Sequence, residues 1–300
     1  MRSNRLNTFA DRVLIGVCTA ICVLFGLFCL TPLWVALASS FSNENALIRE
    51  GYGLWVRSFD LTSYKLIFSG TDDVLNAYGV TIASTFFGVL ATLMLTSSFA
   101  YPLTVSTVKY RNKIAFFAYA TMLFNGGLVP NYILTTRFLH MKNNFLVLVI
   151  PAALNAYNVF LMRNYFASIP QSLSESAKID GANDIRIYAS IILPLAKPIL
   201  ATVGLFAAMG YWNEWYRVLL YIDNRKLFTL QYLIMRLQQQ VDFLTSSLNP
   251  QARASLGPVT VPTIGIRLAT AMISIGPIVL LYPFLQRYFI KGVMIGSVKG

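Results

Sequence analysis

A chain of 300 residues that is 56% hydrophobic and only 12% charged is too apolar for one or two ordinary soluble domains. Its net charge of +12 comes from 24 Lys and Arg scattered through the polar stretches, which excludes a nucleic-acid-binding stripe and fits the flanks of membrane spans. A single histidine, His140, and three cysteines confined to one apolar run, Cys18, Cys22 and Cys29, exclude a metal cluster, a catalytic triad and a disulfide framework.

A bilayer core about 30 Å thick needs roughly 20 apolar helical residues. Charge-free runs at 13–43, 74–108, 114–136, 143–162, 199–213 and 268–286 predict six spans and an all-α, polytopic membrane protein. Residues 1–12 form a basic lead with Arg2, Arg5 and Arg12. The run behind it is longer than the 7–15 apolar residues of a signal peptide, so it reads as an uncleaved span despite Ala36-Leu37-Ala38 at its end. The polar stretch 39–73 is expected outside the cell. In the second span Ser84 and Gly88 stand four apart, as do Gly204 and Ala208 in the fifth, a spacing that lets membrane helices approach closely.

Lys109, Arg111 and Lys113 mark a cytoplasmic loop. The third span runs into Asn125-Gly126-Gly127-Leu128-Val129-Pro130, where two glycines and a proline predict a break in regular helix. The fourth holds Pro151 and then Asn155, Tyr157 and Asn158. Polar groups at that depth need partners, either on a neighbouring helix or in a watery passage, where amides bind sugar hydroxyls and aromatic faces pack on pyranose rings. The fifth span is short and is completed by Trp212, Trp215 and Tyr216, suited to a headgroup belt. Residues 217–267 are expected outside. With both ends inside, the cytoplasmic segments carry thirteen basic residues and the external ones eleven, a narrow margin.

The stretch 172–198, SLSESAKIDGANDIRIYASIILPLAKP, is polar and turn-rich in an otherwise apolar chain. Ser172 and Glu175 have capping-box spacing, predicting a helix from about Leu173 to Ile179. Asp180-Gly181 predicts a bend, with helix resuming near Asn183. Ile185, Tyr188, Ala189 and Ile192 predict one apolar stripe, Pro194 a stop at Leu193, and Pro198 the opening of the next helix.

Glu175-Ser176-Ala177, Asp180-Gly181-Ala182, Ile191 and Leu193-Pro194 resemble the EAA loop of ABC importer permeases, with Ser176 in place of the first alanine. The Gly-Gly-Leu-x-Pro element at 126–130 is similar to the LplC-like branch of carbohydrate importers. Trp212-Asn213-Glu214 resembles an element of sugar permeases, and the end Gly296-Ser297-Val298-Lys299-Gly300 resembles the tail of the maltose permease subunit. The resemblance implies a type I importer permease fold, with a six-span domain at 13–290, a cytoplasmic coupling loop at 170–197 and a cytoplasmic tail at 291–300.

It further implies that Glu175, Ser176, Ala177, Asp180, Gly181 and Ala182 dock an ATPase, with Gly296, Val298 and Lys299 reaching between two ATPase subunits. Asn155, Tyr157, Asn158, Tyr211 and Trp212 are the candidates for the substrate path. The partners implied are a second, non-identical permease, two ATPases that bind ATP and Mg, an external or periplasmic binding protein, a carbohydrate and membrane lipid. The location implied is the bacterial cytoplasmic (inner) membrane with both termini inside. The LplC-like character points to oligosaccharides of complex polysaccharides, acidic ones such as alginate fragments among them. No G-x-x-x-x-G-K-[ST] phosphate cradle occurs in the chain, so it is read as a transport subunit without a cofactor of its own.

Two rivals are weighed against this. An ion-coupled secondary sugar transporter would want an ionisable residue inside the bundle and an inverted repeat, while the acids nearest the spans, Asp73 and Glu214, sit at their edges. An intramembrane enzyme would want clustered His, Asp or Cys.

Overall fold

The computed structural model describes residues 9–68, 71–247 and 264–276, and among these every regular element is a helix; one antiparallel bridge joins Ser42 to Phe59. Helices suit a chain without water around it, because each pairs its own backbone N–H and C=O groups. The chain falls into two units, residues 1–70 with 241–276, and residues 71–240 with 277–300.

In the first unit α1 (Phe9–Ser40) carries an apolar stretch, Asp11–Ser40, long enough at about 45 Å to cross a bilayer. Pro32 lies inside α1 and cannot donate to the carbonyl of Phe28 four residues back. The Thr31 hydroxyl donates to that oxygen instead, at 2.8 Å. Beyond α1, α2 (Glu44–Glu50) starts at Asn43, and α3 (Thr62–Phe68) begins two residues after Asp60. The Asp60 carboxylate accepts from the Thr62 hydroxyl at 2.5 Å, the Thr62 amide at 2.8 Å and the Asn43 amide at 3.0 Å. These bonds, led by the Thr62 hydroxyl, hold its pKa below the usual 3.8. The buried Glu44 carboxylate accepts from the amides of Ile264 at 3.0 Å and Gly265 at 2.9 Å, which are otherwise orphan donors at the start of the helix Ile264–Gly276. Gly265 suits this close approach, because a Cβ there would have to displace Ser63 Oγ.

The second unit begins with α4 (Thr71–Ala100), which also carries a stretch long and apolar enough to span. The predicted third span is shorter than its apolar run. After α5 (Arg111–Leu123) the chain extends at Phe124, Asn125 Oδ1 accepts from the Gly127 amide at 2.9 Å, and Gly127 takes φ +85°. α6 (Leu128–Ile133) follows with a π turn over Leu134–Phe138, so the break expected from Asn125–Pro130 is present.

The predicted fourth span is a broken pair, α7 (Leu146–Ala153) and α8 (Ala156–Ala167), bent by 50°. The predicted fifth span is α12 (Lys197–Trp212), reached from the preceding helices through a 79° bend at Ala196, with Pro198 in its first turn as expected. The helix Ile264–Gly276 covers only the start of the predicted sixth span, whose remainder lies outside the described residues.

α4 and α12 pack through their glycines. Gly204 admits Leu93 Cδ1 to 3.5 Å of where its Cβ would be, and a Cβ on Gly88 would stand 2.5 Å from the Tyr211 ring. Two apolar clusters bracket this contact. One gathers Val159, Met162, Phe166, Ile187, Ile192 and Val203, and the other Val147, Leu148, Val218, Tyr221, Ile222 and Phe228.

Three measurements check this packing. Glu44→Ala leaves two amides unpaired and should cost about 1–3 kcal/mol, read as a lower thermal midpoint of the purified protein in detergent, with Glu44→Gln costing less. Because the folded Asp60 value lies below 3.8, its cap contributes fully above about pH 4 and is lost as pH falls through that lower value. The difference in midpoint between wild type and Asp60→Asn should therefore shrink between pH 7 and pH 3. Gly88→Ala must displace the Tyr211 ring and should cost about 1–3 kcal/mol, more than the roughly 1 kcal/mol expected for Tyr211→Phe.

Candidate functional site

Two features of the second unit carry chemistry: the turn-rich loop between α8 and α12, and a polar cavity beside the break in the α7–α8 pair. In the loop, α9 (Gln171–Ile179) begins at Pro170 without a side-chain cap. The capping box expected of Ser172 and Glu175 is therefore not formed. Both residues lie inside the helix, which the fixed φ of Pro170 starts two residues ahead of Ser172.

The end of α9 follows the predicted bend. Gly181 takes φ +82°, its amide donates to Lys178 O at 3.0 Å, and the Ala182 amide donates to Ala177 O at 2.9 Å. These two bonds make a Schellman turn, whose apolar contact falls between the residues three before and two after the cap. Those residues are Ala177 and Ala182, and both pack on the Met162–Ile187 cluster. The alanines and glycine of the motif thus serve the turn, while Glu175, Ser176 and Asp180 remain on the exposed surface.

Asn183 Oδ1 then accepts from the Arg186 amide at 2.8 Å and starts α10 (Asp184–Ile187). Across the turn Lys178 Nζ meets Asp184 Oδ1 at 2.9 Å, and that hydrogen bond raises the lysine pKa. The expected stripe of Ile185, Tyr188, Ala189 and Ile192 is not the buried face. A π turn over Tyr188–Ile192 shifts the register, so that Ile187 and Ile192 are buried and Ile185 is 77% exposed. The same turn carries helix through Leu193 into α11 (Leu193–Leu195), so Pro194 does not stop it there; the stop comes at Ala196.

The outward face of the loop pairs a carboxylate with bare hydrocarbon. Glu175 forms no ion pair with any described residue and helps line a cavity of about 130 Å³ with Tyr101, Thr104, Ser106, Gln171 and Lys178. Ile179, 87% exposed, and Ile185 flank the Gly181 turn. Neither isoleucine stands out in the sequence as functional; the signal is their place on either side of a helix-ending glycine.

The second cavity, about 450 Å³, is lined among others by Thr92, Asn155, Tyr157, Asn158, Tyr211 and Arg217. It brings together four of the five residues singled out for a substrate path. Trp212 is 7% exposed and stands off the wall. Asn155 Oδ1 caps α8 by accepting from the Tyr157 amide at 2.8 Å, leaving its NH₂ for other partners. Tyr211 OH donates to Val149 O at 2.8 Å, across to the broken pair.

Arg217, near the start of α13 (Tyr216–Tyr221), donates from Nε to Glu214 Oε2 at 2.7 Å and also pairs with it through Nη2. Its guanidinium lies 5.6 Å from the Tyr211 ring centroid and reaches Leu148 O at 3.4 Å. Sequence reasoning missed Arg217; the i, i+3 spacing from Glu214 was the available signal. The tail residues Gly296, Val298 and Lys299 lie outside the described residues.

The comparisons with known proteins agree with one another. Over 298 residues, 98% of this chain and 97% of the relative, it is 38% identical to Protein LplC of Bacillus subtilis (strain 168). It is 34% identical to the polygalacturonan/rhamnogalacturonan transport system permease protein YtcP of the same organism, covering 93% of this chain and 95% of that one. Among solved structures it resembles a chain of a bacterial ABC transporter involved in the import of the acidic polysaccharide alginate. The TM-score is 0.77 at 29% identity, over 94% of this chain and 98% of the other. The family model described as the binding-protein-dependent transport system inner membrane component matches residues 4–295, and the chain belongs to that family.

Proposed function

We propose that this chain is one of two non-identical permease subunits of an ATP-driven carbohydrate importer in the bacterial cytoplasmic membrane, both termini inside. Its loop at 170–197 couples the membrane helices to a partner ATPase. The observation that carries this reading is the closed turn at Gly181, which holds Glu175 and the two bare isoleucines on one rigid, outward surface. A partner with a basic group for Glu175 and an apolar socket for Ile179 and Ile185 matches that chemistry. The turn is tied by Ala177 and Ala182 to a core that also includes Val159 of α8 and Val203 of α12. A push on the loop is therefore felt by both helices rather than absorbed by a hinge.

In the same reading the 450 Å³ cavity is a station on the sugar's path, where Asn155, Asn158 and Tyr157 offer amide and hydroxyl partners. ATP and Mg are held by the ATPase, and an external binding protein delivers the substrate. The relatives support a carbohydrate cargo, since one is named for polygalacturonan/rhamnogalacturonan transport and another belongs to a transporter involved in the import of the acidic polysaccharide alginate.

The test is coupling in the assembled importer reconstituted in proteoliposomes. Glu175→Ala and Gly181→Pro should lower uptake by about tenfold or more, about 1.4 kcal/mol of coupling, while the ATPases keep hydrolysing ATP and the membrane domain still assembles. Ile179→Asp should do the same by placing a charge against the apolar socket. Wild-type uptake in all three, or uptake driven by an ion gradient without the ATPase, would overturn the reading.

A further inference from the structure

The cavity beside the α7–α8 break has one charged residue on its described wall, Arg217, while the glutamate paired with it is not part of that wall. We propose that Arg217 is the residue by which the importer selects a sugar unit bearing a carboxylate, a uronic acid. The proposal rests on the cavity being part of the sugar path.

The hydrogen bonds of Arg217 divide its guanidinium into two edges. Glu214 Oε2 takes Nε and Nη2, the side-on edge. Among the described residues Nη1 has the Leu148 carbonyl at 3.4 Å, at the long limit of a hydrogen bond. Five N–H donors are present, so each Nη keeps one to offer. An end-on pair of N–H groups matches the two oxygens of a carboxylate and no neutral sugar hydroxyl as well.

The guanidinium is also held in place before any ligand arrives. Its side chain is 18% exposed, against 11% for Glu214, and it lies over the Tyr211 ring. That ring is tethered to Val149 O and set against Gly88, where no side chain fits. A donor fixed this way loses little freedom on binding. Glu214 meanwhile answers most of the positive charge from the other edge, so a substrate carboxylate is attracted at short range without being trapped. A transport station needs that balance.

A bare neutral-sugar site would not need a guanidinium at all. The side chains of Asn155, Tyr157 and Asn158 already supply hydroxyl partners.

The experiment uses the complete importer, with its companion permease, ATPases and binding protein, in proteoliposomes. The probes are trimers of galacturonate, mannuronate, guluronate and glucuronate, each beside its methyl ester, which keeps the skeleton and removes the charge, together with maltotriose and arabinotriose. At least one uronate trimer should enter more than about tenfold faster than its ester. R217Q should collapse that ratio by slowing the acid, with the ester little changed, and R217K should fall between, since it keeps the charge but not the fork.

Equal uptake of acid and ester by wild type, entry of neutral trimers only, no uptake of any probe, or an unchanged ratio in R217Q each overturns the proposal. So does an equal loss of both probes in an R217Q importer that still assembles and hydrolyses ATP, which would make Arg217 a structural tie. If neither Arg217 variant assembles, the wild-type acid-to-ester ratio decides alone. Asn158→Ala separates the two readings. Normal uptake in that variant removes the cavity from the path, whereas reduced uptake with no preference for the acid removes only the role of Arg217.

Discussion

The constraint on which the rest of this structure depends is that no backbone polar group can be left bare where water is absent. At many of its breaks the chain meets it with asparagine. Asn43, Asn125, Asn144, Asn155, Asn183 and Asn224 each place a side-chain oxygen on an amide two or three residues ahead, at 2.8–3.1 Å. Aspartate or serine caps a helix about as well in water. Within an apolar surround a carboxylate adds the cost of its charge, and the amide of asparagine does not. Asparagine is therefore the affordable way to stop and restart a helix at depth, and the breaks at 124–127 and 154–155 use it.

The break at 154–155 is also where the chain becomes something other than packed cylinders. Two donors from other elements reach carbonyls of α7 beside the break, Tyr211 from α12 to Val149 and Arg217 from α13 to Leu148. With the cap residue Asn155 and its neighbours they are assembled around one space, a cavity with amide, hydroxyl and guanidinium groups.

Much of this was legible in the sequence. The apolar runs located the elements, the Asn125–Pro130 and Asp180-Gly181 signals located a break and a turn, and Pro198 located a helix start, because each of these rests on local backbone chemistry. What failed depended on register. Ser172 and Glu175 have the spacing of a capping box, but Pro170 began the helix earlier and moved both residues inside it. The stripe drawn through Ile185, Tyr188, Ala189 and Ile192 assumed 3.6 residues per turn, and the π turn at 188–192 inserts extra backbone that hands the buried face to Ile187. The stop expected at Leu193 failed for a related reason: the wide turn ahead of Pro194 relieves the demand for its missing N–H. Arg217 was overlooked because its meaning is tertiary, residing in Leu148 and Tyr211, 69 and six positions away.

The π turn also shows how the loop is joined to the spans. At its start the Tyr188 ring lies against Tyr101, centroids 5.2 Å apart, and its hydroxyl meets Ser97 Oγ at 2.7 Å. Ser97 belongs to the last turn of α4, the same helix whose Gly88 seats Tyr211 and whose Thr92 reaches the cavity wall. One helix thus touches the loop at its end and the cavity about one and a half turns farther along. The Tyr188–Ser97 hydroxyl pair and the apolar cluster together tie the loop to α4, and α4 also reaches the cavity around Arg217.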